Sequence, residues 1–235
     1  ARRHRTRSTR RVKTMVPIKT MLAHRANYGT KRGGAVEWLV MHYTANDGDS
    51  DTSNGKYFQQ ALNPVASAHF FVDDDSITRS VPEDYVAYHC GANHYTHPFC
   101  RNYNSIGIEM CDAKRDGKVM ATAKTIANAA DLAAMLCEQY NIQVDHIIRH
   151  YDVTGKLCPK YWVDDPEGIR KFREMVKERI EMVTKAKMIV DGKEIEVERI
   201  LKDGTNYIKI RDIAKALDLE VSNKGNVPIL NHKGG

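Results

Sequence analysis

The sequence predicts an α/β layer fold, a largely covered β-sheet with helices against it, ending in a small α+β module. Three observations carry this reading. Apolar β-rich runs alternate with segments of helical period between Ala35 and Lys187. Beyond Lys187 the pattern shifts to short alternating runs around an Asp-Gly pair. The composition, 42% hydrophobic and 28% charged over 235 residues, is that of an ordinary globular chain long enough for a real core.

Ala35–Tyr43 (AVEWLVMHY) is a β-rich apolar run and reads as a buried strand. Ser53–Leu62 has helical character, with Tyr57, Phe58, Ala61 and Leu62 on one side and Asn63-Pro64 as its stop. Ala68–Val72 and Ile77–Val81 flank the polar turn Asp73-Asp74-Asp75, a hairpin signal. Ser105–Cys111 (SIGIEMC) is a short strand. Thr122–Tyr140 is Ala-rich, with Ile126, Ala130, Ala133, Leu136 and Cys137 at helical spacing, so an amphipathic helix is expected. Ile147-Ile148 marks another strand, and Pro166–Lys187 opens on Pro-Glu and runs as a charged amphipathic helix. Met188–Ile200 then holds Asp191-Gly192 between alternating runs, a hairpin. Tyr207–Ile210 and a short helix, Arg211–Leu217, follow it. A module of this size supports only a marginal core.

The formal net charge is +6, from 36 Lys+Arg and 30 Asp+Glu, and its location decides its meaning. Residues 1–14 (ARRHRTRSTRRVKT) hold six Arg, one Lys and no acid, which leaves 29 basic and 30 acidic groups in the rest. The body is near neutral, and the excess lies in an arm whose dense like charge predicts disorder in isolation. Such an arm can meet phosphates or anionic lipid; the plainer reading is that it precedes the real start at Met15-Val16-Pro17-Ile18. The body has no basic stripe interleaved with aromatics, which argues against a nucleic-acid partner. No apolar run approaches the roughly 18 residues of a membrane span. Nor does an apolar region follow the arm's charges, so no secretory leader is expected.

The strongest chemical feature is HYDVTGKLCP at 150–159. His150 at a strand end, with Cys158 returned by a short loop, gives two zinc-competent ligands on one turn. A catalytic zinc takes three protein ligands and keeps a fourth position open. His42, near the end of the buried strand, is the obvious third. Cys111 and Cys137 sit in apolar patterns and read as core.

MHYTA at 41–45, SAHFFVDD at 67–74, NSIGIEMC at 104–111 and HYDVTGKLCP at 150–159 together resemble the zinc-dependent N-acetylmuramoyl-L-alanine amidases of the type 2 family. That family includes phage endolysins and is similar to peptidoglycan recognition proteins. The four segments occur in order and span about Val16 to Met182. The resemblance implies a mixed β-sheet flanked by helices, with one catalytic Zn2+ in a groove on one face. His42, His150 and Cys158 fall at its zinc-ligand positions, and Glu109 and Lys156 at its catalytic positions. The substrate implied is peptidoglycan, cut between N-acetylmuramic acid and L-alanine. The alternative is a module that holds the muropeptide without cutting it; such relatives generally lose the thiolate ligand, and Cys158 is present. Some amidases of this family carry a catalytic tyrosine before the histidine of the second strand; here Ala68 stands there, so Glu109 must carry more.

Side-chain chemistry agrees with those roles. Glu109 can take a proton from water and pass it to the departing nitrogen. Lys156, between two ligands, can face the tetrahedral oxyanion. His69 is expected either to line the groove or to be a hydrogen-bonded structural histidine. His89, in YHCG, falls in a substrate-groove loop and is expected to contact the muropeptide. His89, Cys90, His94, His97 and Cys100 also crowd five potential ligands into twelve residues. A structural zinc knuckle and a Cys90–Cys100 disulfide are the alternatives there, with reduced thiols as the default.

The expected organisation is a basic arm at 1–14, a catalytic domain at 15–183 and a small module at 188–235. YIKIRDIAKAL in the last resembles small repeats attached to clostridial wall hydrolases, which implies binding to wall polymer or a spacer; self-association is the alternative. Without a leader, an endolysin is expected to wait in the host cytoplasm until lysis, or to leave by a non-classical route.

Overall fold

A computed structural model of the chain describes residues 15–115, 117–181, 184–202, 205–224 and 227–232. The basic arm at 1–14 lies outside the described residues. In chain order the elements begin with β1 (Ile18–Thr20), β2 (Tyr28–Lys31), β3 (Trp38–Tyr43), α1 (Asp51–Phe58), β4 (Phe70–Val72) and β5 (Ile77–Arg79). They continue with β6 (Tyr85–Ala87), β7 (Ser105–Met110), β8 (Ala113–Arg115), β9 (Lys118–Met120), α2 (Ala123–Tyr140) and β10 (Ile147–Arg149). Next come α3 (His150–Thr154), α4 (Lys160–Asp164) and α5 (Glu167–Ile180). The C-terminal module holds β11 (Thr184–Val190), β12 (Lys193–Lys202), β13 (Thr205–Ile208), α6 (Ile210–Ala216), β14 (Leu219–Lys224) and β15 (Val227–His232).

Six strands form the main sheet in the order β1-β5-β4-β7-β3-β10. β3 runs parallel to both β7 and β10, and β7 is parallel to β4. β5 is antiparallel to β4, as the Asp73–Asp75 turn requires, so the sheet is mixed. Strand alternation divides its residues between two faces. Leu39, Met41, Phe70, Val72, Ile106, Ile108, Met110 and Ile147 join one core with α2 and α5. Val40 and Ile148 point the other way, into a smaller cluster with Cys90, Cys100 and Val153. Both faces are covered, which explains why these strands read as near-continuous apolar runs.

The two long helices are fixed at their ends as well as by their faces. Thr122 caps α2 by accepting from the Lys124 and Thr125 amides, and Asn141 ends it in the left-handed region at φ 54°. Asn128 in α2 donates to the carbonyls of Asp73 and Asp74, tying the helix to the β4–β5 turn. α5 buries Ile169, Phe172 and Val176, spaced three and four apart.

α5 stops at Ile180, short of the Lys187 expected from its charge pattern. From Thr184 the chain is a strand of the C-terminal hairpin. Lys185 and Lys187 there alternate on one face and pair across the hairpin with Glu196 and Glu194, at 2.6 and 2.8 Å. Lys-rich sequence suits a solvated helix or a strand edge equally, and the tertiary pairing decides. Asp191 (φ 48°) and Gly192 (φ 75°) make the turn, both in the left-handed region that an Asp-Gly pair supplies. α6 lies against β12 and β14. Val197 and Ala214 are the fully buried apolar residues described in this module, so its core is small.

Candidate active site

His42, Glu109 and His150 stand at the carboxyl ends of adjacent parallel strands, where open α/β sheets place their sites. His42 and Glu109 are register partners in the β3–β7 ladder and share a face. Their neighbours two residues back, Val40 and Gly107, lie on that face too, while Met41, Ile108 and Met110 are in the helical core. β10 lies on the other side of β3, and His150 follows it directly as the first residue of α3.

The return to Cys158 is short because α3 ends abruptly. Gly155 takes φ 80° and donates its amide to the Tyr151 carbonyl. The Tyr151 amide then donates to the Cys158 carbonyl at 2.9 Å, setting Cys158 beside the first turn of α3. Arg149 anchors the turn, with its guanidinium on both Asp152 oxygens and on the Trp162 carbonyl.

The ligand atoms of His42, His150 and Cys158 all lie within 4.8 Å of one another, and all three residues are buried. His42 Nδ1 is 3.8 Å from Cys158 Sγ and 3.9 Å from Glu109 Oε1. Burial, with His150 next, holds His42 well below the usual imidazole range. Burial and Lys156 take His150 down to about 3. Both rings are therefore neutral at pH 7, the form a metal binds. Burial pushes the Cys158 thiol up to about 12, against a hydrogen bond from the Tyr43 amide and the charge of Lys156. Burial likewise raises the Glu109 carboxyl to about 8, with Lys156 opposing and Asp112 and Asp49 adding to it. His150 Nδ1 and Glu109 Oε2 are buried without a hydrogen-bond partner. Such atoms are rare in folded proteins, and two together with a thiol fit a cation-binding centre with a polar group beside it.

A groove of about 640 Å³ opens over this centre. Glu109, Lys156 and Cys158 line it together with Tyr43, Asn46, Asn54, Tyr57, Phe58 and Leu157. Lys156 is exposed, and its charge acts on the Glu109 carboxyl. Neither His69 nor His89 is part of the groove lining. His69 is fully buried: its Nδ1 accepts from the Gly107 amide at 3.0 Å, and its Nε2 lies 2.6 Å from the Arg32 guanidinium. His89 is buried between His42 and Ser105, with Nδ1 3.1 Å from His42 Nε2 and Nε2 3.1 Å from the Ser105 hydroxyl.

Around His89, Cys90 and Cys100 are buried free thiols, and His94 is exposed. His97 uses Nδ1 to accept from the Phe99 and Cys100 amides. Among the described residues no second group of three such side chains converges. Sequence reasoning passed over Ser105, Gly107 and the Tyr43 amide. The signal for the first two was strand period: 105, 107 and 109 fall on one face, small or polar at each step, while 106, 108 and 110 are large and apolar.

Residues 32–161, more than half of the chain, match the family described as N-acetylmuramoyl-L-alanine amidase. The chain belongs to that family. Among its relatives, CwlL of Bacillus licheniformis, named an N-acetylmuramoyl-L-alanine amidase, is 35% identical over 199 residues. That alignment covers 80% of this chain and 54% of CwlL. A probable N-acetylmuramoyl-L-alanine amidase of the same organism is 40% identical over 149 residues, covering 60% of this chain and 41% of its own. The chain thus spans about half the length of the curated relatives it matches. Among solved structures, a mutant endolysin from Bacillus subtilis superposes with a TM-score of 0.57 at 27% identity. It covers 69% of this chain and 99% of its own. The catalytic domain of XlyA gives 0.56 at 26% identity, over 68% and 98% of the two chains. The mixed sheet flanked by helices is the fold shared with both. Among the described residues no helix is long and apolar enough to cross a membrane.

Proposed function

We propose that this chain is a zinc-dependent hydrolase of the amide bond between N-acetylmuramic acid and L-alanine in peptidoglycan, working as an endolysin or autolysin. The observation that carries this reading is the buried triangle of His42, His150 and Cys158 beside Glu109, whose Oε2 is buried without a partner. Three such ligands suit a tetrahedral ion with one open position. Bound there, zinc supplies Lewis acidity to the amide carbonyl and to the attacking water.

The chain's own side chains do the rest. The groove holds the stem peptide against Tyr57 and Leu157, both more than half exposed. Burial alone keeps the Glu109 carboxyl protonated at pH 7; beside a bound cation it would be held as the carboxylate, which receives the proton of the attacking water and delivers it to the alanine nitrogen as the C–N bond breaks. Lys156 faces the oxygen that gains charge. It is exposed and lines the same groove as Glu109, so its ammonium can reach that oxygen. Residues 15–183 form the catalytic unit, and 188–235 bind wall polymer or act as a spacer.

Mass spectrometry of digested peptidoglycan tests the reaction. Stem peptides with a new L-alanine amino terminus are expected. Intact muramoyl-alanine linkages after exhaustive digestion would reject the assignment. Chelation should abolish lysis and zinc restore it, and folded Cys158→Ser should bind no zinc tightly and release no peptide.

A further inference from the structure

His42 must offer a bare nitrogen to a metal, and the structure contains the device that decides which nitrogen is bare. The Ser105 hydroxyl has one proton, and it goes to the Arg101 carbonyl at 2.6 Å. Ser105 Oγ can then only accept from His89 Nε2, 3.1 Å away. A neutral imidazole protonated on Nε2 has a bare Nδ1. That atom lies 3.1 Å from His42 Nε2, which must therefore donate to it. His42 is left with its proton on Nε2 and Nδ1 bare, and Nδ1 is the atom turned towards Cys158 Sγ and Glu109 Oε1.

The relay is held rigidly. His42, His89 and Ser105 are each at most 9% exposed, so water does not compete for these hydrogen bonds. Asn102 Oδ1 accepts from the His89 and Cys90 amides, at 3.2 and 2.8 Å, and fixes the loop that carries the ring. Gly107 makes room for it: a Cβ there would stand 2.5 Å from His89 Cγ. The geometry points to His89, backed by Ser105, as a positioning residue that fixes the metal-binding tautomer of His42, a role that rests on the zinc reading above.

Long-range 1H–15N correlation on 15N-histidine-labelled protein reads the tautomers directly. Metal-free protein is expected to show His42 and His89 both protonated on Nε2, and zinc is expected to shift His42 Nδ1. Zinc affinity, measured by chelator competition, supplies the second readout. His89→Asn, whose amide oxygen can stand where Nδ1 stood, keeps the parent's affinity. His89→Phe weakens it roughly 10- to 100-fold, the range typical of lost partners behind a metal ligand. Ser105→Ala, which frees His89 to turn its proton inward, lowers affinity without removing a ring, and it covers the case in which His89→Phe fails to fold. His42 protonated on Nδ1 in the parent, or equal zinc affinity in folded His89→Asn and His89→Phe, overturns the relay. A parent that binds no zinc at all rejects the metal centre instead, and the tautomers of the metal-free protein still decide the relay.

Discussion

Glu109 is raised to about 8 by burial and has a carboxylate oxygen without a partner, an arrangement that stability alone would not favour. Glu109→Gln keeps the shape and removes the proposed proton carrier. Turnover should fall by roughly 100- to 10,000-fold while zinc affinity stays at the parent's value, read by steady-state rates beside chelator competition. Lys156→Met should lose roughly 100- to 1000-fold in kcat with zinc retained. Asp112 makes a prediction of a different kind. Burial, with Asp49 nearby, raises its carboxyl from 3.8 to about 6, against hydrogen bonds from Thr44 and Ala45. The folded state thus binds this proton more tightly than the unfolded chain. Its contribution to stability falls as pH rises from about 4 to about 6, and the penalty is complete above that. Between pH 4 and pH 7 the melting temperature of Asp112→Asn should rise more, or fall less, than the parent's. An equal change in both would mean that Asp112 keeps an ordinary pKa.

At this scale the candidate site was largely legible. His42, Glu109, His150, Lys156 and Cys158 are chemically distinctive, and the structure gathers them at one end of three strands. Ser105 and Gly107 were not singled out, because a serine and a glycine in a strand carry no chemistry until their neighbour across the sheet is known. His89 could be placed in a loop from its sequence. Which way its ring turned depended on Gly107, far along the chain.

Among the elements, α5 and the turn before it bear the closest packing. Gly168 lies in α5, and a Cβ added there would stand 2.2 Å from Trp162 Cδ1. In an open helix Gly→Ala gains about 1 kcal/mol. Here the indole must move, and overpacking of this kind costs about 1–3 kcal/mol. Trp162 is buried on Phe172, with ring centroids 5.1 Å apart, so it has nowhere cheap to go. Gly168→Ala should therefore lower the melting temperature; a rise would mean that α4 yields freely. The strands and α2 were readable because both their faces or one stripe are apolar. The helix expected to reach Lys187 was over-extended, because charge periodicity does not distinguish a solvated helix face from a cross-strand ladder of Lys185 and Lys187 with two glutamates. β1, β2 and β6 escaped notice as three- and four-residue strands, too short to show a period.

For the whole molecule, the division of labour between the amidase fold and the C-terminal module is open to direct test. The module's small core and its surface ion pairs leave it little independent stability. Truncation after Glu181 should leave hydrolysis of soluble muropeptides within a few-fold of the full chain and reduce retention on intact walls. Equal retention on walls would reject a wall-binding role and leave a spacer. The arm at 1–14 carries more than the whole net charge, so its removal should change the salt dependence of wall binding and not the turnover of soluble substrate.

The pairing of His42 with Glu109 across β3 and β7 makes the main chain the ruler of this site. Neighbouring strands are held roughly 4.8 Å apart by their own hydrogen bonds, whatever side chains pack beneath them. The spacing between His42 and Glu109, the proposed ligand and proton carrier, is thus set by a feature that mutation scarcely touches. Substitutions in the core on the α2–α5 side can erode the melting temperature well before they disturb the distance between His42 and Glu109. Transplanting the chemistry to another scaffold would call first for two parallel strands in this register, and only then for the five side chains.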